Sequence, residues 1–495
     1  MEISTHLPAL QVIVPLLVSP LVAVLQPRGL AWAAASATAL CTLAISVALA
    51  IEVLSGNTLE YAMGGWEAPY GIALSVTPFS ALLLLVVSGT AVAALLPGRA
   101  SIESQIEADR QPLFYAAWLL VLAGLTGIVV SADAFNIFVF MEISSLASYI
   151  LIAGGPDRKA LPAVFKYLIM GTIGATFYLI GVGLVYMMTG TLNLADMEAR
   201  IAGVADLKPV LVAAGFVTIG LALKAAVFPL HVWLPNAYTQ APHMATVFLA
   251  GCATKVALYV LIRFDFLVFQ ANLEGHAMQF TLFVLPLAVL GILVASAVAV
   301  FEGHLKRLLA VSSIAQIGYI LLGTSLVSVA GLSAGLVHIF NHALAKAGLF
   351  LAVACIAMQH AQLRLDSLRG IARQMPVTCA ALVVCGFSLV GVPGTAGFIS
   401  KWMLVSAVLE VPTWGPLLVA VIVISSLLAL AYVWRIVETL YSGGEGESLA
   451  RAEAPVTMLL GACLLAALNV LFGFVPALPM ELASSAASAL MGHTQ

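Results

Sequence analysis

The sequence predicts an all-α polytopic membrane protein, and three observations lead to that fold class. Of the 495 residues, 62% are hydrophobic and only 9% are charged, whereas a soluble domain carries about 25% charged residues. The mean hydropathy of +1.10 excludes a soluble globular protein. Apolar runs of roughly 20 residues recur along the chain, which is the length of a membrane-spanning helix and not the short alternating pattern of a transmembrane barrel.

The charge balance and the motifs exclude several functions. Twenty basic residues against 23 acidic ones leave no cationic surface for nucleic acid. The six cysteines fall in apolar runs without a CxxC, so we expect small buried side chains and neither a metal site nor an iron–sulfur site. Since no P-loop or dinucleotide fingerprint is present, we expect no cofactor, and energy must come from an ion gradient or from another subunit.

The apolar runs predict about fourteen transmembrane helices. The predicted spans lie near 8–25, 29–54, 71–97, 111–131, 133–153, 159–188, 209–230, 241–268, 280–302, 306–327, 331–358, 376–409, 415–440 and 455–480. The first is expected to be a retained helix, because no basic region precedes it as in a signal peptide. Pro229 in KAAVFPLHVWLP (224–235) and Pro393 in GVPGTAGFISKW (391–402) should break the seventh and twelfth spans. Broken backbone inside a membrane is tolerated only where it faces protein or a wet cavity.

The distribution of basic residues predicts that both termini lie outside, on the periplasmic face. With that orientation the outside connections hold three basic residues, Arg200, Lys208 and Arg263. The inside connections hold thirteen, which are Arg28, Arg99, Arg110, Arg158, Lys159, Lys166, Lys306, Arg307, Arg364, Arg369, Arg373, Arg435 and Arg451. Cytoplasmic connections are the ones that carry an excess of lysine and arginine.

Four lysines remain inside predicted spans, and they are the first candidates for function. These are Lys224, Lys255, Lys346 and Lys401. Each costs about 2.5–3.5 kcal/mol at a helix centre, so such residues persist where they are compensated, usually for function. Snorkelling to the headgroups is an alternative that fits Lys166, but Lys224 and Lys255 stand about 14 residues into their segments, or roughly 20 Å deep.

Glu142 is the lone acidic residue of the apolar run 135–152. A carboxylate there needs a cation opposite it to stay ionised, and Lys224 on another helix is the obvious candidate. Such a pair can switch when a proton arrives. A static structural pair is the alternative.

His338, His342 and Lys346 recur every four residues and therefore line one helix face. Histidine titrates near neutral pH, which suits a proton relay. Core histidines with satisfied hydrogen bonds are an alternative, while a metal site would need further ligands that no second cluster offers. His243 and His304 are weaker candidates, since each could be an ordinary interfacial residue.

The two broken spans predict an internal repeat. Lys224 precedes the break in the seventh span and Lys401 follows the break in the twelfth, so each belongs to the fourth helix of a five-helix block, spans 4–8 or 9–13. Blocks with an odd number of helices have opposite orientation, which gives the inverted repeat of many transporters. The predicted division is an N-terminal region 1–110, a first repeat 111–268, a second repeat 280–440 and a C-terminal helix in 441–495.

Several longer motifs carry a family resemblance over roughly residues 65–440. They are GGWEAPYGI (64–72), FVFMEISSLASY (138–149), KAAVFPLHVWLPNAY (224–238), ATKVALYVLIRF (253–264), HLKRLLAVSSIAQIGYIL (304–321), HIFNHALAKAGLF (338–350), LRGIARQMP (368–376) and GVPGTAGFISKW (391–402). In order and spacing they resemble the antiporter-like subunits shared by Mrp multisubunit Na⁺/H⁺ antiporters and the membrane arm of respiratory complex I. LPNAYTQAP followed by ATKVALYVLIRF is most similar to the D-type subunits of Mrp complexes.

The resemblance implies a proton path at mid-membrane depth, with half-channels to both faces, inside a hetero-oligomer and without a cofactor. The matching residues are Glu142 in the fifth helix, Lys224 in the seventh, Lys255 in the eighth, His338 and His342 in the eleventh and Lys401 in the twelfth. With Lys346 on the same face as the histidines, they form the predicted site. The chain departs from the family pattern at Thr77, at His243-Met244 and at Val311.

The sequence therefore predicts a proton-translocating subunit of a monovalent cation (Na⁺)/H⁺ antiporter in a bacterial inner membrane. Its expected partners are other membrane subunits, protons, Na⁺ and lipid, and not nucleic acid. The alternative is a proton-pumping, non-redox subunit of an NADH:quinone oxidoreductase or a membrane-bound hydrogenase. A scaffold that conducts nothing is a third possibility, which five intramembrane ionisable groups argue against. No carboxylate cluster marks a site for the counter-ion.

Overall fold

Helices form nearly all of the secondary structure in the computed structural model, which describes residues 3–26, 28–204, 208–269, 276–443 and 451–492. The helices are α1 (Leu7–Val24), α2 (Arg28–Leu54), α3 (Pro78–Leu95), α4 (Arg99–Gln105), α5 (Gln111–Val130), α6 (Ala134–Ala153), α7 (Ala160–Thr189), α8 (Leu194–Ile201), α9 (Lys208–Lys224), α10 (Leu234–Gln240), α11 (His243–Arg263), α12 (His276–Phe301), α13 (Leu305–Ser325), α14 (Val329–Gln359), α15 (Pro376–Val390), α16 (Ala396–Leu409), α17 (Gly415–Tyr441), α18 (Val456–Phe474) and α19 (Ala477–Leu490). A two-stranded antiparallel sheet, β1 (Leu59–Ala62) and β2 (Ala73–Val76), precedes α3.

The predicted polytopic helical fold is confirmed. Within the described residues, twelve helices are long and apolar enough to cross a membrane, and a thirteenth span results if the turns at Leu365–Arg373, bent by 115° against α15, are counted with that helix. The difference from about fourteen lies in the seventh and twelfth predicted spans. Each is divided into two shorter helices, α9 with α10 and α15 with α16.

Two predicted boundaries are wrong. The third span begins at Pro78 and not near 71, because β2 occupies the preceding residues and the Thr77 hydroxyl caps α3 by accepting a bond from the Ser80 amide at 3.3 Å. The last span ends at Phe474, since Pro476 follows, and a second helix, α19, then packs on α3 and α14. The short helices α4 and α8 lie in segments predicted as connections.

Glycines let neighbouring helices approach closely in both halves of the molecule. A Cβ at Gly220 of α9 would lie 2.6 Å from the carbonyl oxygen of Gly174 on α7. A Cβ at Gly323 of α13 would lie 2.6 Å from the carbonyl oxygen of Gly331 on α14. Small residues at such contacts are typical of tightly packed membrane helices. The two contacts fix α7 against α9 and α13 against α14.

The centre of the molecule consists of α11, α13 and α14, which are almost entirely buried, whereas about half or more of α6, α7, α12, α17 and α18 faces outward. The central helices carry Lys255, Lys346 and both histidines of the predicted site. These four ionisable residues therefore lie in the protein interior and not on the lipid-facing surface.

The two predicted repeats contain corresponding helix contacts. In the first block α5 packs on α6 and α7 packs on α9, and in the second α12 packs on α13 and α14 packs on α15 and α16. The division into regions stays a prediction. Of the predicted linker between the repeats, residues 270–275 lie outside the described residues, as do 444–450 and 493–495 of the C-terminal region.

Candidate functional site

Lys224 lies at the break of the seventh span, where it meets Glu142 of α6. The lysine is the last residue of α9, which ends where Ala226 takes a positive φ of 55°. Its Nζ lies 3.4 Å from Glu142 Oε1 and donates a shorter bond of 2.7 Å to the Ser145 hydroxyl. A cation at a helix C-terminus is also stabilised by the negative end of the helix dipole. The ammonium thus has two alternative acceptors, one charged and one neutral.

Glu142 and Ser145 are three residues apart on α6 and so project from one face of that helix. The Lys224 side chain is 6% exposed, whereas that of Glu142 is 30% exposed. Gly171 of α7 lies beside the pair, and a Cβ there would lie 2.2 Å from the Tyr149 hydroxyl and 3.9 Å from Lys224 Nζ. The space that a side chain would need is filled by the Tyr149 hydroxyl, which this glycine lets approach the pair.

A small cavity of about 30 Å³ separates this pair from the centre of the molecule. Lys224, Ser144, Ser145 and Ser148 line it on one side, and α11 lines it on the other. A polar cavity needs about 10–15 Å³ to hold a water molecule. The cavity can therefore hold water beside Lys224 and the serine hydroxyls, while the α11 residues that line it are apolar.

Lys255 of α11 is fully buried. Its Nζ donates to the carbonyl oxygen of Ala250, five residues earlier in the same helix. The side chain therefore runs back toward the start of α11. In the part of the chain that the structure describes, no carboxylate lies within ion-pair distance of Lys255.

The polar face of α14 continues the series. His338 and His342 lie parallel, with ring centroids 6.2 Å apart. His338 has a protein partner on each nitrogen: Nδ1 lies 2.9 Å from the Ser400 hydroxyl and Nε2 lies 3.0 Å from Gln316 Oε1. Neither nitrogen of the buried His342 has a hydrogen-bond partner among the described residues. Both ring nitrogens of His342 are therefore available to take up or release a proton.

Lys346 lies one turn beyond His342 and turns toward α13. Its Nζ donates to the carbonyl oxygen of Leu309 and to the Ser312 hydroxyl, both at 2.6 Å. The buried ammonium group of Lys346 thus links α14 to α13.

Lys401 lies just after the break of the twelfth span. Its Nζ donates to the carbonyl oxygen of Val390 at 2.9 Å and to the Ser426 hydroxyl at 3.1 Å, and it stands 4.8 Å from the ring centre of Tyr319. Val390 is the last residue of α15, which ends at Gly391 with φ 90°. A Cβ at Gly391 would lie 2.8 Å from Lys401 Cδ, so this glycine serves both the backbone turn and the lysine.

The structure brings all seven predicted site residues into one interior series that runs from α6 and α9 through α11 and α14 to α16. The sequence does not single out the neutral partners Ser145, Gln316, Ser400 and Ser426, nor Tyr319, because serine and glutamine are common in apolar helices and give no distinct pattern.

Two sequence-based assignments need correction. Lys306 is predicted to lie in a connection, but it is only 2% exposed near the start of α13 and donates to the carbonyl oxygen of Ala241 at 2.6 Å. Cys41 is exposed on α2 and Cys463 is half-buried, while the other four cysteines are buried as expected. Among the described residues, no three histidine, cysteine or acidic side chains are grouped to hold a metal ion.

Fold and site together define a class: a polytopic helical membrane protein with a buried series of ionisable side chains and two interrupted helices. Residues 131–429 match the transmembrane family described as NADH:quinone oxidoreductase/Mrp antiporter. The chain belongs to that family.

Curated proteins and a solved structure extend the similarity to almost the whole chain. The NADH-quinone oxidoreductase subunit N of Desulforudis audaxviator is 41% identical over 460 residues, which is 92% of this chain and 90% of that protein. The D-type subunit of the Na⁺/H⁺ antiporter of Alkalihalophilus pseudofirmus is 29% identical over 434 residues, 87% of this chain and 86% of that protein. A chain of the Mrp complex from Dietzia sp. DQ12-45-1b superposes with a TM-score of 0.90 at 28% identity, covering 99% of this chain and 98% of the other.

Proposed function

We propose that this chain translocates protons as one subunit of a hetero-oligomeric membrane complex. The observation that carries the proposal is the Lys224–Glu142 pair at a helix break, with a second acceptor for the ammonium at Ser145. Protons would pass between the paired lysine and Lys401 through the series of buried groups. The intervening residues are Lys255 on α11 and then, in order along α14, Lys346, His342 and His338.

The pair can act as a switch. When Glu142 takes up a proton it becomes neutral, and its attraction for the Lys224 ammonium is lost. The ammonium then remains bonded to Ser145, beside the small cavity, where it can give one proton to water and become a neutral amine. The neutral Lys224 amine then takes the proton from Glu142, which restores both the carboxylate and the ammonium. In each cycle one proton enters at Glu142 and one leaves from Lys224, so the pair returns to its starting state.

The exposure of Glu142 supports partner subunits. Exposed apolar residues flank it on the outer face of α6: Phe135, Val139, Leu146 and Ile150. A carboxylate turned toward lipid would cost about 2.5–3.5 kcal/mol. A neighbouring membrane subunit that covers this face removes that cost, and the remaining outer surface meets the bilayer.

We further propose that transport is coupled to a monovalent cation gradient as Na⁺/H⁺ antiport, in a bacterial inner membrane with both termini on the periplasmic face. Similarity to the D-type antiporter subunit and to the Mrp complex supports the coupling, and the excess of basic residues in the predicted inside connections supports the orientation. A redox-driven proton pump is the second candidate, and the 41% identity to an NADH-quinone oxidoreductase subunit N favours it.

Purification of the intact complex in mild detergent distinguishes the two couplings. Small hydrophobic partners without iron or flavin, together with Na⁺-dependent pH gradients in vesicles, are the result expected for antiport. Co-eluting subunits that contain iron–sulfur clusters or flavin would contradict antiport and assign the same proton path to a redox pump.

Glu142→Gln tests the proton path itself. The amide cannot take up the proton, so we expect proton transport in vesicles to fall by about 100-fold or more, with assembly unchanged as judged by co-purification. Asp133→Asn is a matched control on the same helix, since asparagine preserves the cap that Asp133 makes to the Asn136 amide. Full transport by the Glu142→Gln variant would contradict the proposal and would favour a chain that acts only as a scaffold in the complex.

A further inference from the structure

A second polar cavity, of about 400 Å³, lies at the end of the molecule where α11 and α13 begin and α14 ends. Its lining includes Gln105, Asp157, Gln240, His243, His304 and Lys306. All of these residues fall in or beside connections predicted to face the cytoplasm. None of them belongs to the series proposed above, so the cavity needs its own explanation.

His243 and His304 are both held in the wall of this cavity. The backbone amide of His243 donates to Gln105 Oε1 at 2.9 Å, which fixes the start of α11, and within the described residues its Nδ1 is buried without a partner. His304 caps α13: its Nδ1 accepts a bond from the Arg307 amide at 3.4 Å, so a neutral ring carries its hydrogen on Nε2. Burial, followed by the nearby Lys306, lowers the pKa of His304, while Glu302 opposes this shift.

Geometry connects the cavity with the buried lysines. Lys306 in the cavity wall and Leu309, whose carbonyl accepts from Lys346, are three residues apart on α13, or about 4.5 Å along the helix. On α14, Ala357 lines the cavity eleven residues after Lys346, which is about three full turns and therefore the same helix face. Lys255 also turns its ammonium back toward the start of α11. Lys255 thus points toward this end of the molecule, and Lys346 bonds α13 within one turn of Lys306.

We propose that this cavity is the cytoplasmic proton inlet of the chain, and that His243 receives protons there and passes them toward Lys346. The inference rests on the proposed proton transport. The titratable groups that face His243 are His304 and Lys306 from α13 and Asp157 from the connection after α6. A proton taken up on one imidazole nitrogen of His243 leaves from the other, so the residue returns to its neutral form in each cycle.

Removal of the imidazole tests the role of His243. In inverted vesicles that contain the whole complex, His243→Ala should slow proton transport by about tenfold, and added imidazole, which fits a cavity of 400 Å³, should restore most of the rate. His360→Ala is the matched control, since His360 lies on the same predicted face, its side chain bonds only Gln374 among the described residues and the variant should keep full activity. Should His243→Ala impair assembly, His243→Gln replaces it.

Two results would overturn the inlet: a full rate for His243→Ala, or a reduced rate that imidazole does not raise. Glu142→Gln measured in the same vesicles separates this failure from the failure of the proposed function. If Glu142→Gln abolishes transport while His243→Ala keeps it, only the inlet is wrong. If both variants keep full transport, the proton path itself is wrong.

Thiol labelling tests access without relying on transport. Ala357→Cys, in the cavity wall, should react with a membrane-impermeant thiol reagent in inverted vesicles but not in right-side-out ones. Ala354→Cys on the same helix is the control, because Ala354 is fully buried and should not react from either side. Labelling of Ala357→Cys only from the opposite face, or no labelling at all, would contradict the inlet.

Discussion

Lys224 and Lys401 both lie beside the break of an interrupted helix, yet their surroundings differ. Lys224 has a carboxylate, Glu142, at 3.4 Å as well as a serine hydroxyl. Lys401 contacts a helix-end carbonyl, a serine hydroxyl and the face of Tyr319, and within the described residues it has no carboxylate at ion-pair distance. One ammonium is balanced by a charge that protonation can remove, and the other by fixed dipoles.

The difference gives the two halves of the molecule distinct roles in the proposed mechanism. At Lys224 a proton on the partner changes the local balance by a full charge, which suits a switch. At Lys401 the surrounding dipoles keep their magnitude whatever the protonation state nearby, which suits the end of a path. Two similar backbone breaks therefore produce different electrostatic behaviour because of the residue opposite the lysine.

The largest expected effect comes from Lys224→Arg and Lys401→Arg. Arginine retains the positive charge but does not release its proton. If both lysines exchange protons, both variants should fall to about 1% of wild-type transport or less. Initial rates of pH-gradient formation in vesicles, normalised to the amount of assembled complex, provide the measurement. If Lys401→Arg keeps its transport activity while Lys224→Arg loses it, Lys401 acts only as a fixed positive charge. The two lysines would then not share the exchange of protons.

Ser426→Asp makes the second half resemble the first by placing a carboxylate beside Lys401. Two charges at about 4 Å attract by roughly 4 kcal/mol at an effective dielectric constant of 20. Since desolvation opposes this gain, we expect proton release to slow by roughly tenfold, or about 1.4 kcal/mol. Ser426→Ala is the control and should cost less than about threefold, because the Val390 carbonyl remains. An equal loss in both variants would show that the hydroxyl matters and the charge does not.

A pair of glycine variants sharpens the comparison at the second break. Gly391→Ala and Gly394→Ala both place a side chain at positive φ, 90° and 85°, which costs about 1 kcal/mol of stability in each case. Only Gly391→Ala adds a clash with Lys401, at 2.8 Å from Cδ, whereas the nearest atom to a Cβ at Gly394 lies 3.4 Å away. Similar melting temperatures with a several-fold lower rate for Gly391→Ala are expected. Equal rates would indicate that the position of Lys401 is not critical.

The smallest expected effect is that of Ser145→Ala at the first break. It removes the neutral acceptor of Lys224 and leaves Glu142, so we expect about a twofold loss of rate, within the roughly 1 kcal/mol of a single hydrogen bond. Ser144→Ala is the matched control, since Ser144 lines the same cavity but bonds a carbonyl of its own helix. A larger loss for Ser144→Ala would place the important hydroxyl elsewhere in the cavity.

Much of this architecture could be predicted because charges are rare in apolar helices. Glu142 and Lys224 stand out against about twenty apolar neighbours, and Pro229 and Pro393 mark the two breaks. The other buried residues of the site could be predicted for the same reason, because they are polar side chains among apolar ones. The positions of spans were predictable to within a few residues except where a strand or a proline moved a boundary, as at Pro78.

The partners of the charges could not be predicted in the same way. Ser145 and Ser426 are two of many serines, and only the packing of α6 on its neighbours and of α16 on α17 selects them. Lys306 stands near the start of a span, where a basic residue usually lies in a connection, but the start of α13 is covered by the segment around Ala241. Burial at helix ends depends on tertiary contacts that periodicity does not contain.

The outward-facing part of Glu142 has a consequence for biogenesis. A chain synthesised in excess of its neighbours would present this carboxylate to the acyl chains of the membrane, flanked by unmatched apolar side chains. In cells, the fraction of a protein that is not in its native state is continuously removed by chaperones and proteases. The carboxylate that we propose for the switch would then mark the orphan chain for turnover, and we expect cellular levels of this protein to follow the supply of its neighbour.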